Sequence, residues 1–248
     1  MRFRLLTYNI RRGGVGRVEP IARVIAACEP DAVLLQEATR PAIVAAIAER
    51  TAMAEWRAFA RQSLGYLSRT PVAEASWQRP RFSRHAFVEV LPSAAPVRLF
   101  GVHLSAVHAA WTERRRLFEL RALLRSIAAH QGGFHVLAGD FNTLAPGEEL
   151  QIKRLPPRLR PLVWMSGGRV KWRTIRTVLE KDYVDAFRAL HPTEPGFTVP
   201  TTDPHVRLDY VFVPAAFRQR LVACDVVRSD DAIVASDHFP VLADLMTD

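Results

Sequence analysis

The sequence predicts an α/β protein in which two mixed β-sheets pack face to face beneath outer helices. Short apolar runs typical of buried strands recur along the 248 residues, and segments with the apolar spacing of amphipathic helices separate several of them. Apolar residues make up 49% of the chain, which is enough for one substantial core at this length. We therefore expect a single domain over residues 1–248.

Strands and helices alternate along the chain. Apolar runs bounded by polar or turn-forming residues predict strands over residues 3–9, 32–36, 84–91, 98–104, 134–138 and 207–213. Apolar residues at i, i+3, i+4 and i+7 predict helices over residues 18–28, 42–53 and 111–129. Pro20 and Pro41 lie near the first turns of the first two helices, where proline is favoured. The arginines of the third helix are expected on its solvated face.

The charge balance indicates an anionic partner. The chain carries 34 Lys and Arg against 25 Asp and Glu, a net charge of +9 that attracts nucleic acid, anionic lipid or phosphorylated small molecules. Arginine supplies nearly all of this charge and suits bidentate contact with phosphate, although a high-GC coding bias gives the same excess. No run approaches the roughly 20 apolar residues that cross a bilayer, and no cleavable signal precedes the first strand. We expect a cytoplasmic monomer.

Residues 148–181 concentrate positive charge, with nine Lys or Arg against three Glu. Apolar residues that include Trp164 and Trp172 alternate with these cations. Such a pattern stacks bases and pairs phosphates, and it equally describes a surface that settles on an anionic membrane. We expect Lys153 to Arg176 to contact nucleic acid or an anionic membrane surface; a basic loop with both tryptophans in the core is the alternative.

Polar residues end six of the apolar runs. The six stretches are Thr7-Tyr8-Asn9-Ile10, Leu34-Leu35-Gln36-Glu37, Gly101-Val102-His103-Leu104, Ala138-Gly139-Asp140-Phe141-Asn142, Arg207-Leu208-Asp209-Tyr210-Val211-Phe212 and Ser236-Asp237-His238-Phe239-Pro240-Val241. Burying an unpaired charge costs several kcal/mol, so four such carboxylates with two histidines indicate a shared site. Oxygen ligands together with histidine suit a hard divalent cation that works on phosphate.

In this order the six stretches resemble the motifs of the endonuclease/exonuclease/phosphatase superfamily. That superfamily includes DNase I-like nucleases, abasic-site endonucleases, inositol-polyphosphate 5-phosphatases and neutral sphingomyelinases. The resemblance runs from Thr7 to about Leu242 and includes a strand and turn over residues 64–72. It implies a DNase I-like four-layer sandwich, in which two packed mixed sheets are flanked by helices. It also implies a hydrolase of phosphoesters that uses Mg²⁺, with Mn²⁺ as a substitute.

The resemblance implies three metal ligands. Glu37 would make the principal Mg²⁺ contact, and Asp237 and Asn9 would complete a shell whose other places go to water and substrate, as Mg²⁺ prefers. The alternatives for the carboxylate are an ion pair between Glu37 and Arg40 or a charge at a helix N-terminus. A strand-end amide bonded to its own backbone is the alternative for Asn9.

Five residues receive catalytic roles. Asp140 and Asn142 are two apart, so in an extended segment they face the same way and could orient water and donate to a phosphoryl oxygen; an Asx-turn is the alternative. By the resemblance, Asp209 fixes the tautomer of His238, which binds the phosphoryl group. His103 would protonate the leaving oxygen or stabilise the pentacoordinate phosphorus. Whether the aspartate or a histidine is the base stays open.

Substrate binding has weaker signals. Arg207, Arg69 and Tyr66 are predicted phosphate contacts, although Arg207 also reads as a surface residue at a strand entry. Abasic-site endonucleases of the superfamily usually carry Asp where this chain has Arg11, and this difference argues against a DNA-repair enzyme. The expected substrate is a phosphodiester in nucleic acid or a phospholipid headgroup. A phosphomonoester such as a phosphoinositide is the alternative, as is a catalytically silent binding module of the same fold.

Overall fold

Two six-stranded mixed sheets form the centre of the protein in a computed structural model. The structure describes residues 1–80, 87–106, 110–128, 133–155, 157, 160–165 and 172–247. The strands are β1 (Arg2–Asn9), β2 (Ala32–Gln36), β3 (Glu55–Ala58), β4 (Leu64–Ser68), β5 (Val72–Gln78), β6 (Phe87–Pro92), β7 (Arg98–His103), β8 (His135–Asp140), β9 (Tyr183–Asp185), β10 (Asp209–Pro214), β11 (Leu221–Val226) and β12 (Val241–Met246).

Helices cover the outer faces of both sheets. They are α1 (Val18–Cys28), α2 (Pro41–Arg50), α3 (Ala110–Ile127), α4 (Arg160–Met165), α5 (Arg173–Leu179), α6 (Ala186–Leu190) and α7 (Asp230–Ala235). Short 3-10 turns lie at Arg12–Gly14, Ile152–Arg154 and Ala215–Arg220. Among the described helices, none has both the length and the apolar content that crossing a bilayer requires.

The strand order places the first and last strands of the chain side by side. One sheet has the order β11-β12-β1-β2-β4-β3 and the other β5-β6-β7-β8-β10-β9. Within the first sheet β1 and β2 are parallel, and within the second β7 and β8 are parallel, while the remaining pairs are antiparallel. Parallel neighbours end at the same edge of a sheet, so each sheet gathers two strand ends at one edge.

Side-chain alternation along the strands builds the layers. In β1, Leu5 enters the core between the sheets, whereas Leu6 packs on the outer side with α1, α2 and α7. Leu34 and Leu35 of β2 divide in the same way, as the two-residue period of a strand requires. A third cluster joins the second sheet to α3 and α5. The fold is therefore the four-layer sandwich of two mixed sheets that the sequence predicted.

Several elements differ from the sequence prediction. The strand predicted from residue 84 is present over Phe87–Pro92, and its predicted start at residues 84–86 lies outside the described residues. The helix predicted to residue 53 ends at Arg50, and the strand predicted from residue 207 begins at Asp209. Arg116 is fully buried and bonded to Glu113, so it is an exception to the expectation that the arginines of α3 lie largely on the solvated face.

Gly139 brings β8 unusually close to β7 just before the site. Its φ is +150°, and a Cβ atom there would lie 1.9 Å from the carbonyl oxygen of Val102. A larger residue would push the two strands apart, because the obstacle is backbone. The close approach fixes the register that places His103 opposite Asp140.

Candidate active site

The candidate site lies where strand ends of the two sheets meet. In the first sheet Asn9 ends β1 beside Gln36, the last residue of β2, so Glu37 follows at the same edge. In the second sheet Asp140 pairs with His103 on one side and with Asp209 on the other. A hydrogen bond of 3.1 Å from Asn9 Nδ2 to Asp140 Oδ2 joins the two sheets at this point.

Amide groups hold the buried carboxylate of Asp140. Asn142 donates to it twice, from its backbone N–H at 2.8 Å and from Nδ2 at 3.0 Å. The backbone contact is the one that an Asx-turn makes, and Asn142 has a positive φ of 52°, so the turn and the converging side chains occur together. Burial raises the pKa of Asp140, and the Asp209 charge raises it further; His238 and the bonds from Asn142 and Asn9 offset this only in part.

Asp209 holds His238 in one orientation. His238 Nδ1 lies 2.9 Å from Asp209 Oδ2, and both side chains are buried. Thr198 Oγ1 donates to the same oxygen at 2.6 Å and accepts from the backbone N–H of Leu208 at 3.1 Å. Burial lowers the pKa of His238, but the charge and hydrogen bond of Asp209 outweigh it and raise the pKa overall. The arrangement therefore favours an imidazolium whose Nδ1 donates to Asp209.

The three predicted metal ligands lie around one loop. Asn9 Oδ1 accepts from the backbone N–H of Arg11 at 3.0 Å, and Glu37 Oε2 accepts from the backbone N–H of Arg12 at 2.5 Å. Asp237 Oδ2 forms an ion pair of 3.2 Å with Arg11 Nε. Residues 228 positions apart in the chain thus converge on two adjacent arginines. An ion pair with Arg40 was one alternative interpretation of the Glu37 carboxylate. No such ion pair is present among the described residues.

The donor chemistry of this group suits a hard cation. Its ligands are one amide oxygen and two carboxylates, and the carboxylates of Glu37 and Asp237 are partly open to solvent. Mg²⁺ prefers a site that offers few protein oxygens and leaves room for water molecules. A second group, Asp140, Asp209 and His238, has its candidate ligand atoms within 4.8 Å of one another and is buried. That group could also hold a metal.

His103 lies beside Asp140. Its Nε2 is 3.8 Å from Asp140 Oδ2, too long for a hydrogen bond, and the ring is buried. The following residue, Leu104, accepts a hydrogen bond from Asn142 Nδ2 at 3.0 Å. The structure therefore brings together all eight residues predicted as metal ligands or catalytic groups.

The structure does not bring the predicted phosphate contact Arg207 to the site. Arg207 is buried, its Nε donates to Glu148 at 2.7 Å, and its guanidinium lies 4.5 Å from the centre of the Tyr210 ring. A second carboxylate, Asp185, pairs with it at 2.7 Å. These contacts give Arg207 a structural role. It is therefore neither placed as the predicted phosphate contact nor exposed as the surface alternative required.

Arg69 and Tyr66 are also placed away from the site. Arg69 follows β4, whose last residue pairs with the first residue of β2, so it lies at the opposite end of the sheet from Glu37. Its guanidinium donates to the carbonyl of Pro30. Tyr66 packs between the sheets and donates to Glu55 Oε1 at 2.8 Å. These positions do not support the predicted substrate contacts.

The basic stretch is partly satisfied within the protein. Arg154 pairs with Asp203, and Arg160 donates to the carbonyls of Leu155 and Lys153. Trp164 is 78% exposed, which contradicts the alternative of two tryptophans in the core. Trp172 donates its Nε1 to the carbonyl of Glu148. Residues 156, 158, 159 and 166–171 of this stretch lie outside the described residues.

Three supporting residues were not assigned roles from the sequence. Thr198 orients Asp209, and Ser236 donates to the carbonyl of Asn9 at 2.6 Å while it accepts from the backbone of His238. Arg17 donates to the carbonyls of Arg11 and Ala235, which ties the loop after β1 to the loop that carries Asp237. Only Ser236 had a sequence signal, because it directly precedes Asp237 and His238.

Two sheets with these carboxylates, amides and imidazoles at one edge define the class of metal-dependent phosphoesterases. The profile of the Endonuclease/Exonuclease/phosphatase family matches residues 6–238, and the chain belongs to that family. Its members are hydrolases of phosphoester bonds, and dependence on a divalent metal is general among them. No curated protein matched the sequence.

Solved structures of low sequence identity share the fold. A 3′ phosphatase, NExo, from Neisseria bound to a product DNA hairpin has a TM-score of 0.74 at 18% identity, with 98% of this chain and 99% of that chain covered. An endonuclease/exonuclease/phosphatase from Beutenbergia cavernae has a TM-score of 0.73 at 22% identity, covering 99% and 72%. TDP2 from D. rerio complexed with a single-strand DNA product gives 0.69 at 18%, covering 99% of each chain.

Proposed function

We propose that this protein is a Mg²⁺-dependent phosphodiesterase that hydrolyses nucleic acid by in-line attack of water on phosphorus. The observation that carries the proposal is the meeting of Asp140, the Asp209–His238 pair and the partly open carboxylates of Glu37 and Asp237 at one edge. Proton-transfer groups beside an oxygen-rich cation site are the arrangement that phosphoester hydrolysis requires.

The cation would be held by Glu37, Asp237 and Asn9. When bound, it supplies charge that polarises a non-bridging phosphoryl oxygen and offsets the negative charge of the transition state. Mn²⁺ should substitute, because it accepts the same oxygen ligands. The protein contributes the open side of this shell, since both carboxylates are reached by solvent.

The buried residues provide proton transfer and phosphate binding. Asp140, fixed by Asn9 and Asn142, would orient the attacking water and accept its proton. His238 donates Nδ1 to Asp209, so its Nε2–H on the other side of the ring would bind a phosphoryl oxygen. His103 would donate to the departing oxygen, because it lies beside Asp140 at the same edge.

Several features favour nucleic acid as the substrate. The net charge is +9, and the two most exposed of the described tryptophans, Trp111 and Trp164, offer rings on which bases can stack. Trp111 lies in the first turns of α3, whose Arg116 donates to the carbonyl of Ser105, two residues after His103. The structural neighbours NExo and TDP2 were solved with DNA products. A phosphomonoesterase is the second candidate, because NExo is a 3′ phosphatase.

A substrate panel with Mg²⁺ tests this function. The panel contains single-stranded DNA, duplex DNA with an abasic site, RNA, a DNA strand ending in a 3′ phosphate, sphingomyelin and phosphoinositides. We expect cleavage of a nucleic-acid diester that stops in excess EDTA and returns with Mg²⁺ or Mn²⁺. The Asp140→Asn variant, purified identically, controls for contaminating nuclease. Full turnover in EDTA would refute the metal mechanism, and turnover of lipid substrates alone would refute the nucleic-acid assignment.

A further inference from the structure

Each of the three proposed metal ligands is contacted by one of two adjacent arginines, Arg11 or Arg12. Asn9 Oδ1 and Glu37 Oε2 accept the backbone N–H groups of Arg11 and Arg12, and Asp237 Oδ2 pairs with the Arg11 side chain. The backbone contacts involve neutral groups and leave other lone pairs on each oxygen. The Arg11 guanidinium is different, because it places a full positive charge 3.2 Å from a carboxylate oxygen that a cation would use.

The fold holds Arg11 in this position. Arg11 has φ 48° and ψ 120°, Arg12 has φ 50° and Gly13 has φ 71°, so two residues with a Cβ adopt backbone that side chains disfavour. The Arg17 guanidinium donates to the carbonyls of Arg11 and Ala235, which fastens the loop beside Asp237. A Cβ on Gly13 would lie 2.5 Å from Arg40 Cγ, so the loop is packed as well as bonded.

A guanidinium and a divalent cation cannot both be full partners of one carboxylate oxygen. Their charges repel, so the ion pair lowers metal affinity unless the arginine moves away. The Arg11 side chain is 46% exposed, so it can leave Asp237 without unpacking a core. Once released beside a phosphoester, its planar fork suits bidentate contact with phosphate oxygens.

We propose that Arg11 competes with the metal for Asp237 and, when the cation binds, turns to the phosphoryl group of the substrate. The inference rests on the proposed function, since it takes Asp237 as a metal ligand. It assigns to one side chain two opposite effects: weaker metal binding and stronger substrate binding. An arginine with a purely structural role would weaken both when removed, and an ordinary surface ion pair would change neither.

The chain contains a matched control for this ion pair. Arg23 pairs with Asp231 at 2.7 Å, and the two side chains are 51% and 40% exposed, against 46% and 39% for Arg11 and Asp237. Arg23 belongs to α1 and Asp231 to α7 on the outer face of the first sheet. The Arg23→Gln variant therefore loses the same charge and a similar contact away from the proposed ligands.

The experiment measures Mn²⁺ affinity by titration calorimetry without substrate, and kcat/KM on single-stranded DNA at saturating Mn²⁺. We expect Arg11→Gln to bind Mn²⁺ about threefold to tenfold more tightly and to lose about tenfold in kcat/KM. Arg11→Lys should restore much of the wild-type metal affinity because it keeps the charge. Arg23→Gln should match the wild type in both measurements.

The outcomes separate the two proposals. If the wild type binds Mn²⁺ and Asp237→Asn weakens that binding, while Arg11→Gln binds like the wild type or more weakly, the competition is refuted and the proposed function stands. If Arg11→Gln binds more tightly but keeps full kcat/KM, the substrate contact is refuted. If the wild type binds no Mn²⁺, the proposed function fails and this inference fails with it. Thermal unfolding of Arg11→Gln and Arg11→Lys verifies that each variant is folded.

Discussion

The two halves of the site are built differently. The second sheet supplies Asp140, Asp209 and His103 from the strands themselves, and all three side chains are buried. The first sheet supplies Glu37 from the loop that follows its strand, and that carboxylate is partly exposed. Burial on strands holds the proposed proton-transfer groups in fixed geometry, whereas an open loop would let a cation and its waters exchange. The site therefore combines a rigid buried half with an accessible half.

The largest expected effect comes from the buried half. Asp140→Asn keeps the shape of the side chain but removes the proton acceptor, so kcat should fall by about 10²- to 10⁴-fold. The variant should keep its fold and should bind Mn²⁺ through Glu37 and Asp237 with little change. Single-turnover cleavage measures the loss of catalysis at Asp140, and calorimetry measures Mn²⁺ binding at Glu37 and Asp237. Near-wild-type turnover by the folded variant would show that Asp140 is not the acceptor.

Asp209 and His238 should act as one unit. Because Asp209 Oδ2 holds the ring at 2.9 Å, removing either residue should abolish the same interaction with substrate. The Asp209→Ala, His238→Ala double variant should be little slower than the slower single variant. A double-mutant cycle on kcat/KM measures this coupling. Losses that multiply would mean that the two side chains work independently, contrary to the hydrogen bond between them.

The smallest effect is expected from a substitution outside both halves of the site. Arg2 and Arg4 pair with Asp244 at the end of β1 opposite to Asn9. Burial works to raise the pKa of Asp244, but hydrogen bonds and charges from Arg2 and Arg4 outweigh it and lower the pKa. Asp244→Asn should therefore lower the free energy of unfolding at pH 7 by about 1 kcal/mol and leave kcat/KM unchanged.

The pH dependence of that difference follows from the direction of the pKa shift. A carboxylate with a lowered pKa in the folded state stabilises the protein above its unfolded-state pKa, which is about 3.9 for Asp. The stabilisation is lost as the pH falls through the folded-state pKa. Urea unfolding of wild type and Asp244→Asn should give a gap at pH 7 that narrows below about pH 4. A gap that widens in acid would contradict the assigned partners.

The sequence predicted the sandwich because its principal strands are short apolar runs. The interior strands β2 and β8 are buried along their length, and β1 is buried from Leu5 to Asn9. The edge strands β3 and β11 were missed, since half or more of their residues are not fully buried and their apolar signal is weak. The eight predicted metal and catalytic residues could be chosen because polar groups at the ends of buried strands are unusual and because their order resembles the family motifs.

The substrate contacts could not be chosen in this way because they depend on strand pairing. Arg69 is far from the site only because β4 runs antiparallel to β2, and a sequence does not reveal that direction. Arg207 finds its partner Glu148 59 residues away along the chain. The contact of Arg11 with Asp237 spans 226 residues, so local spacing carries no trace of it. Long-range pairing, rather than local pattern, determines these roles.

Anomalous diffraction from Mn²⁺-soaked crystals tests most directly that distant strand ends form one metal site. We predict a single strong peak within coordinating distance of carboxylate oxygens of both Glu37 and Asp237, near Asn9 and on the open side of the Asp209–His238 pair. A peak among Asp140, Asp209 and His238 with Glu37 and Asp237 both unbound, or no peak at this edge of the sheets, would contradict the proposed arrangement.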